Sequence, residues 1–257
     1  MIDQHTNSYI ETSVKDNIAT IEFFHHQSNS MPGDLLRQLA AIITKEGNNP
    51  QSSVIILKSG GAKAFCAGAS FDELLQITNE AEGLRFFTGF SEVINAIRTC
   101  PKLVIARIQG RCVGGGVGLA AAADYAIALD TADIKLSELA VGIGPFVVGP
   151  AVERKVGTSA FTALAIDATS WRSAQWAYQN GLFAEIHDSI EKVDAAVLKL
   201  AGTLSQSSPE AMQELKTIFW KGTENWDTLL PERAAISGKL ILSDFSRKAI
   251  EKFKQKS

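Results

Sequence analysis

Two apolar-rich runs, Tyr9–Val14 and Ile18–Phe24, flank Lys15-Asp16-Asn17 and predict two strands joined by a hairpin-like turn. Leu35, Leu36, Leu39, Ile42 and Ile43 recur at helical spacing and predict a helix over Leu35–Thr44. Ser53–Lys58 is a short apolar run of the kind found in buried strands. Helical patterns follow at Phe71–Ile77 and at Leu84–Arg98, the second with Phe86, Phe87, Phe90, Val93, Ile94 and Ile97 on one side. Leu103–Ile108 predicts a strand, then come a glycine cluster, a very short apolar helix at Leu119–Ala123, and strands at Tyr125–Leu129 and Ile134–Leu136. Helices are expected at Val148–Val156, Ser159–Ala165 and Ser173–Asn180, the last ending near Gly181 as a C-terminal cap. From Glu191 onward the pattern is helical and charged, with Pro209 and Pro231 expected near helix starts. Strands alternating with helices predict an α/β fold with a helical C-terminal part.

Composition narrows the function. The chain has 257 residues, enough for one large domain or one domain with an appendage. Its net charge of −3 leaves no basic footprint for nucleic acid, so none is expected as a partner. An anionic ligand must then be held by local amides and a few cations. Cys66, Cys100 and Cys112 show no CxxC spacing, so neither a disulfide framework nor a zinc site is expected. The N-terminal stretch lacks the apolar core of a signal peptide, and apolar runs stop well short of about 18 residues. A cytoplasmic protein without a membrane span is the expectation.

Three segments carry candidate chemistry. In Lys63-Ala64-Phe65-Cys66-Ala67-Gly68-Ala69-Ser70, small residues allow close backbone approach and a loop enters a helix with free N–H groups; tight packing alone would also explain them. Gly114-Gly115-Gly116 follows a strand and opens an alanine-rich helix, where an amide can donate to a developing oxyanion; a close helix crossing is the plain alternative. Glu138 is the only acid between Asp133 and Glu153 and has apolar neighbours, which would raise its pKa and suit it to proton shuttling; a solvated or capping role is the alternative. Gly116-Val117-Gly118-Leu119-Ala120-Ala121 also matches the dinucleotide pattern GxGxxA, with an acid about 20 residues further on. The helix after these glycines is too short for a usual βαβ crossover, which weighs against that reading. His5, His25, His26 and His187 sit in no nucleophile or zinc motif, and His25-His26 reads as a surface turn, with a place facing the active site as the alternative. Lys248, Lys252, Lys254 and Lys256 read as a solvated helix face, of which one would meet the phosphates of a nucleotide-bearing ligand were one bound.

Together, in this order and spacing, the three segments resemble the crotonase (enoyl-CoA hydratase/isomerase) superfamily. Its AFxAGAD loop appears as Ala64 to Ser70, with Ser70 in place of the usual aspartate, and its GGG turn as Gly114 to Gly116, followed by Asp124. The resemblance implies a crotonase-like spiral of ββα units over residues 1–190 and a helical trimerisation region over 191–257. It implies an acyl-CoA thioester as partner, coenzyme A being part of the substrate with no separate cofactor, and a homotrimer or homohexamer. By that match the amides of Ala69 and Gly115 form the oxyanion hole, Ala67, Gly68, Ala69, Ser70, Gly114 and Gly115 contact substrate, and Glu138 is the acid/base. Hydratases of the family carry two glutamates; the first falls on Gly118, the second on Glu138. The extra acid of dienoyl-CoA isomerases falls on Phe146, and the lysine that follows the loop in some hydratases falls on Asp72. One retained glutamate, and the stretch Glu138 to Phe146, resemble the Δ3,Δ2-enoyl-CoA isomerases. A hydratase, with space beside Gly118 for a water or anion, and a non-catalytic coenzyme A-binding assembly protein are the alternatives.

Overall fold

The computed structural model describes residues 8–254. His5 and Lys256 lie outside the described residues. In chain order the elements are β1 (Ser8–Lys15), β2 (Ile18–His25), α1 (Gly33–Gly47), β3 (Val54–Ser59), β4 (Ala64–Cys66), α2 (Phe71–Gln76), α3 (Glu80–Thr99), β5 (Leu103–Ile108), β6 (Arg111–Val113), α4 (Gly115–Ala122), β7 (Tyr125–Leu129), β8 (Ile134–Lys135), α5 (Gly149–Ile166), α6 (Ala174–Gln179), β9 (Glu185–His187), α7 (Ile190–Leu204), α8 (Pro209–Phe219), α9 (Trp226–Leu240) and α10 (Asp244–Lys254). A 3-10 turn covers Glu138–Val141.

The hairpin forms as expected: Asp16 and Asn17 both have positive φ, which matches the right-handed twist of the paired strands β1 and β2. The main sheet runs β1-β2-β3-β5-β7-β9 and is parallel after the first pair. The first four residues of β3, Val54–Leu57, are apolar because both faces of the strand are covered there. Ile55 and Leu57 join the core under α1 and α3, while Val54 and Ile56 join a second cluster with Val193, Val197 and Ala201 of α7.

A second, three-stranded parallel sheet, β4-β6-β8, is the main addition to the sequence reading. Each of its strands is two or three residues long. The chain therefore alternates between the two sheets, β3 to β4, β5 to β6 and β7 to β8, as in the expected spiral of ββα turns. Strand β9 was also not apparent in the sequence. The two helices expected between Val148 and Ala165 form one element broken at Gly157, whose φ of 76° is non-helical. Pro209 opens α8, but Pro231 lies inside α9 rather than at its start. Helix α9 crosses α3 at a contact where a Cβ on Gly83 would stand 2.5 Å from the Gly238 carbonyl oxygen. Among the described residues no helix is long and apolar enough to cross a membrane.

Candidate active site

The three motif segments leave the small sheet at the same end. Strands β4, β6 and β8 are parallel neighbours, so the segments that follow them emerge side by side, at the carboxyl ends where α/β proteins bind ligands. Contact between the first two segments is backbone to backbone. A Cβ on Gly116 would stand 2.2 Å from the Cys66 carbonyl oxygen, and one on Gly68 would stand 2.8 Å from the Val113 oxygen and 3.4 Å from the Gly115 nitrogen. Only glycine permits that approach. Gly68 and Gly114 also have φ values of 86° and 52°, where other residues are strained.

Two amides are left free by this arrangement. Met31 donates to the Gly68 carbonyl at 2.7 Å and accepts from the Ser70 N–H at 3.2 Å, so the intervening Ala69 turns its own N–H away from Met31. Gly115 is the first residue of α4, and Val117 and Gly118 are the first to bond back to Gly114. Its N–H belongs to the first helical turn, which has no intrahelical acceptor. Among the described residues neither amide has a partner, and both residues line one cavity.

Glu138 stands on the third segment. Gly114 donates its N–H to the Lys135 carbonyl at 2.8 Å, which ties the glycine turn to β8, and a Cβ on Gly114 would stand 3.1 Å from Glu138 Oε1. The 3-10 turn closes with Ile143 donating to the Glu138 carbonyl at 3.1 Å, and Gly142 packs against Phe245 and Ser246 of α10. Glu138 as a residue is half-buried, but its Oε2 is sealed from solvent and has no hydrogen-bond partner. Burial pushes its pKa up to about 7, against a smaller opposing contact with its own backbone N–H. It is the only titratable group among the described residues lining the cavity.

The remaining walls are apolar: Phe71, Leu74, Phe87, Phe90, Phe146 and Val148 among them. Phe90 seats on the glycine turn, since a Cβ on Gly115 would stand 2.1 Å from its ring. Val148 occupies the space beside Gly118, where a Cβ would stand 2.5 Å from Val148 Cγ1. The space for a water or anion that the hydratase alternative placed beside Gly118 is taken by a valine methyl. Ala67, Gly68, Ala69, Gly114, Gly115 and Glu138 all line the cavity. Ser70 does not; it is buried, and its hydroxyl caps α2 by accepting from the Glu73 N–H. Sequence reasoning missed Val148, Ser137 and Ser237. The phenylalanines of α3 were visible only as core, because helical periodicity does not distinguish a cavity wall from packed interior.

A wider cavity of about 420 Å³ shares Ala67, Ala69 and Phe71 with the first and extends to Gln27, Ser28, Ser30, Asp72 and Lys254. Lys254 pairs with Asp72, and that contact, with a 2.7 Å bond from Gln27, holds the Asp72 carboxyl below its usual range. His25 is buried rather than in a surface turn, with Nδ1 3.0 Å from Ser30 Oγ; burial, and the neighbouring His26, push its pKa down. Asp124 serves the scaffold: its carboxylate accepts from the Val104 N–H and Trp220 Nε1 and pairs with the buried Lys216 at 2.9 Å.

The sequence is 26% identical to a short-chain-enoyl-CoA hydratase of Clostridium acetobutylicum, over 89% of this chain and 87% of that one. It is 28% identical to a peroxisomal Δ(3,5)-Δ(2,4)-dienoyl-CoA isomerase of Arabidopsis thaliana, over 76% and 74%. A human mitochondrial 3-hydroxyisobutyryl-CoA hydrolase is 31% identical over 50% of this chain, a match that spans only 35% of the hydrolase. The crystal structure of an enoyl-CoA hydratase from Bacillus halodurans superposes with a TM-score of 0.87 over 95% of this chain and 100% of that one, at 22% identity, which establishes the shared fold. The profile of the enoyl-CoA hydratase/isomerase family matches residues 13–257, a span that takes in the amide loop, the glycine turn and Glu138. By fold and by sequence, the chain belongs to the enoyl-CoA hydratase/isomerase family of the crotonase superfamily.

Proposed function

We propose that the protein moves the double bond of an enoyl-CoA thioester, with Glu138 as its single acid/base. One observation carries this reading: Glu138 is the only titratable group among the described residues at the cavity, and Val148 fills the space beside Gly118, from which a second carboxylate would act. The thioester carbonyl oxygen accepts from the N–H groups of Ala69 and Gly115. The Glu138 carboxylate removes a proton from C2, and the C–H electron pair delocalises into the carbonyl, where the two amides hold the oxyanion. The same carboxyl returns the proton at C4, so the double bond shifts and nothing is gained or lost. A carboxyl with a pKa near 7 is matched to both halves of this exchange. The wider cavity, with Lys254 at its edge, is the proposed path for the coenzyme A arm. The assembly is proposed to be a homotrimer or homohexamer.

The test is to incubate the protein with 3-enoyl-CoA and 2-enoyl-CoA separately and to identify products by mass and chromatography. The expected product has the mass of the substrate, and Glu138→Gln should reduce its formation by about 10² or more. A product one water heavier would assign hydration instead, and release of free coenzyme A would assign thioester hydrolysis.

A further inference from the structure

One wall of the cavity around Glu138 is not held by the core. Leu74, Phe87, Phe90, Val147 and Val148 are each 5% exposed or less and belong to the main hydrophobic cluster. Phe146 lines the same cavity, but it is half-buried and packs into neither hydrophobic cluster. Its ring is seated instead by the chain beside it. A Cβ on Gly144 would stand 2.6 Å from Phe146 Cζ and 3.0 Å from Cε1. Gly144 lacks the positive φ that would otherwise call for glycine. The missing side chain at 144 is therefore explained by the ring that lies across it.

The two cavities fix the direction of a bound thioester. Ala67, Ala69 and Phe71 line both, whereas Phe146 lines only the one that holds Glu138. With its carbonyl at Ala69 and Gly115 and its coenzyme A arm in the wider cavity, a thioester extends its acyl group away from the shared wall. The space that receives it is about 60 Å³. At about 10–15 Å³ for each water-sized group, that is room for about four to six of them. A longer chain has to displace a wall, and Phe146 is the large side chain there that the core does not hold. We propose that Phe146 is a specificity-determining residue, whose ring ends the acyl site and confines the enzyme to acyl groups of about four to six carbons. This rests on the acyl-CoA reading above and adds the length of the acyl group and the residue that sets it.

The test uses two saturated ligands with no double bond to move, butanoyl-CoA and decanoyl-CoA, titrated calorimetrically into the wild-type protein and into Phe146→Ala. Each methylene that gains apolar cover strengthens binding by about fourfold, and one left in water adds nothing. The wild type is expected to bind decanoyl-CoA no more tightly than butanoyl-CoA. Phe146→Ala is expected to bind decanoyl-CoA at least about tenfold more tightly than butanoyl-CoA, because the vacated ring space covers two or more methylenes. Phe146→Leu keeps an apolar side chain and is expected to move the ratio the same way by a smaller factor; it replaces the alanine variant if a thermal melt shows that variant unfolded. A wild type that already prefers decanoyl-CoA, or a ratio left unchanged by the substitution, overturns the inference while leaving the acyl-CoA reading intact. Failure of the wild type to bind either ligand overturns both.

Discussion

The burial of Glu138 should be measurable as stored instability, independently of any assay of turnover. Its folded pKa stands near 7 against an ordinary value of 4.5, because the carboxyl is desolvated. Between these values the folded chain holds a proton that the unfolded chain has released. Stability therefore falls as pH rises through this window; the full loss is present above about pH 7 and absent below about pH 4.5. The shift corresponds to about 3 kcal/mol. Glu138→Gln keeps the shape and cannot ionise, so it escapes that loss. The amide inherits a wall with no partner for Oε2, which offsets about 1 kcal/mol of the gain. We expect the variant to be about 2 kcal/mol more stable than wild type near pH 8, and no more stable near pH 4. Urea unfolding at both pH values, followed by tryptophan fluorescence, gives the comparison. A variant no more stable than wild type at the higher pH, or one with the same gain at both, would refute the claim that a desolvated carboxyl sits at this position. The expected gain accompanies the loss of turnover described above, the usual opposition between stability and a functional group held in an unfavourable setting.

Two other substitutions probe the packing that shapes the site. Gly118→Ala places a methyl 2.5 Å from Val148 Cγ1 and should cost about 1–3 kcal/mol by overpacking, most of which Val148→Gly should restore in the same chain; additive losses in the double-mutant cycle would show that the two positions do not compete for one space. Lys216→Met leaves the buried Asp124 carboxylate without its cation and should cost about 3 kcal/mol or more in urea unfolding, whereas a loss below about 1 kcal/mol would mean that Trp220 and the Val104 amide suffice.

Much of this protein was legible in local chemistry. Asp16-Asn17 determines its turn because both residues tolerate positive φ, and the apolar runs of β3, β5 and β7 identify strands covered on both faces. The amide loop, the glycine turn and Glu138 were each visible as residues, since close backbone approach and desolvation leave compositional marks. Their convergence was legible only through a resemblance. Strands β4, β6 and β8 bring the three segments together, and two or three residues are too few to show a period. Tertiary structure also decided what surrounds the carboxyl. Val148 stands beside Gly118 and Ser237 reaches the cavity from α9, positions separated in sequence by 30 residues in one case and about 100 from Glu138 in the other. Pattern along a chain reports which face of an element is apolar; it does not report which other element that face meets. The empty-looking position at Gly118 could therefore be seen as filled, and Glu138 Oε2 as sealed from water, only once α5 was folded against α4 and the 3-10 turn.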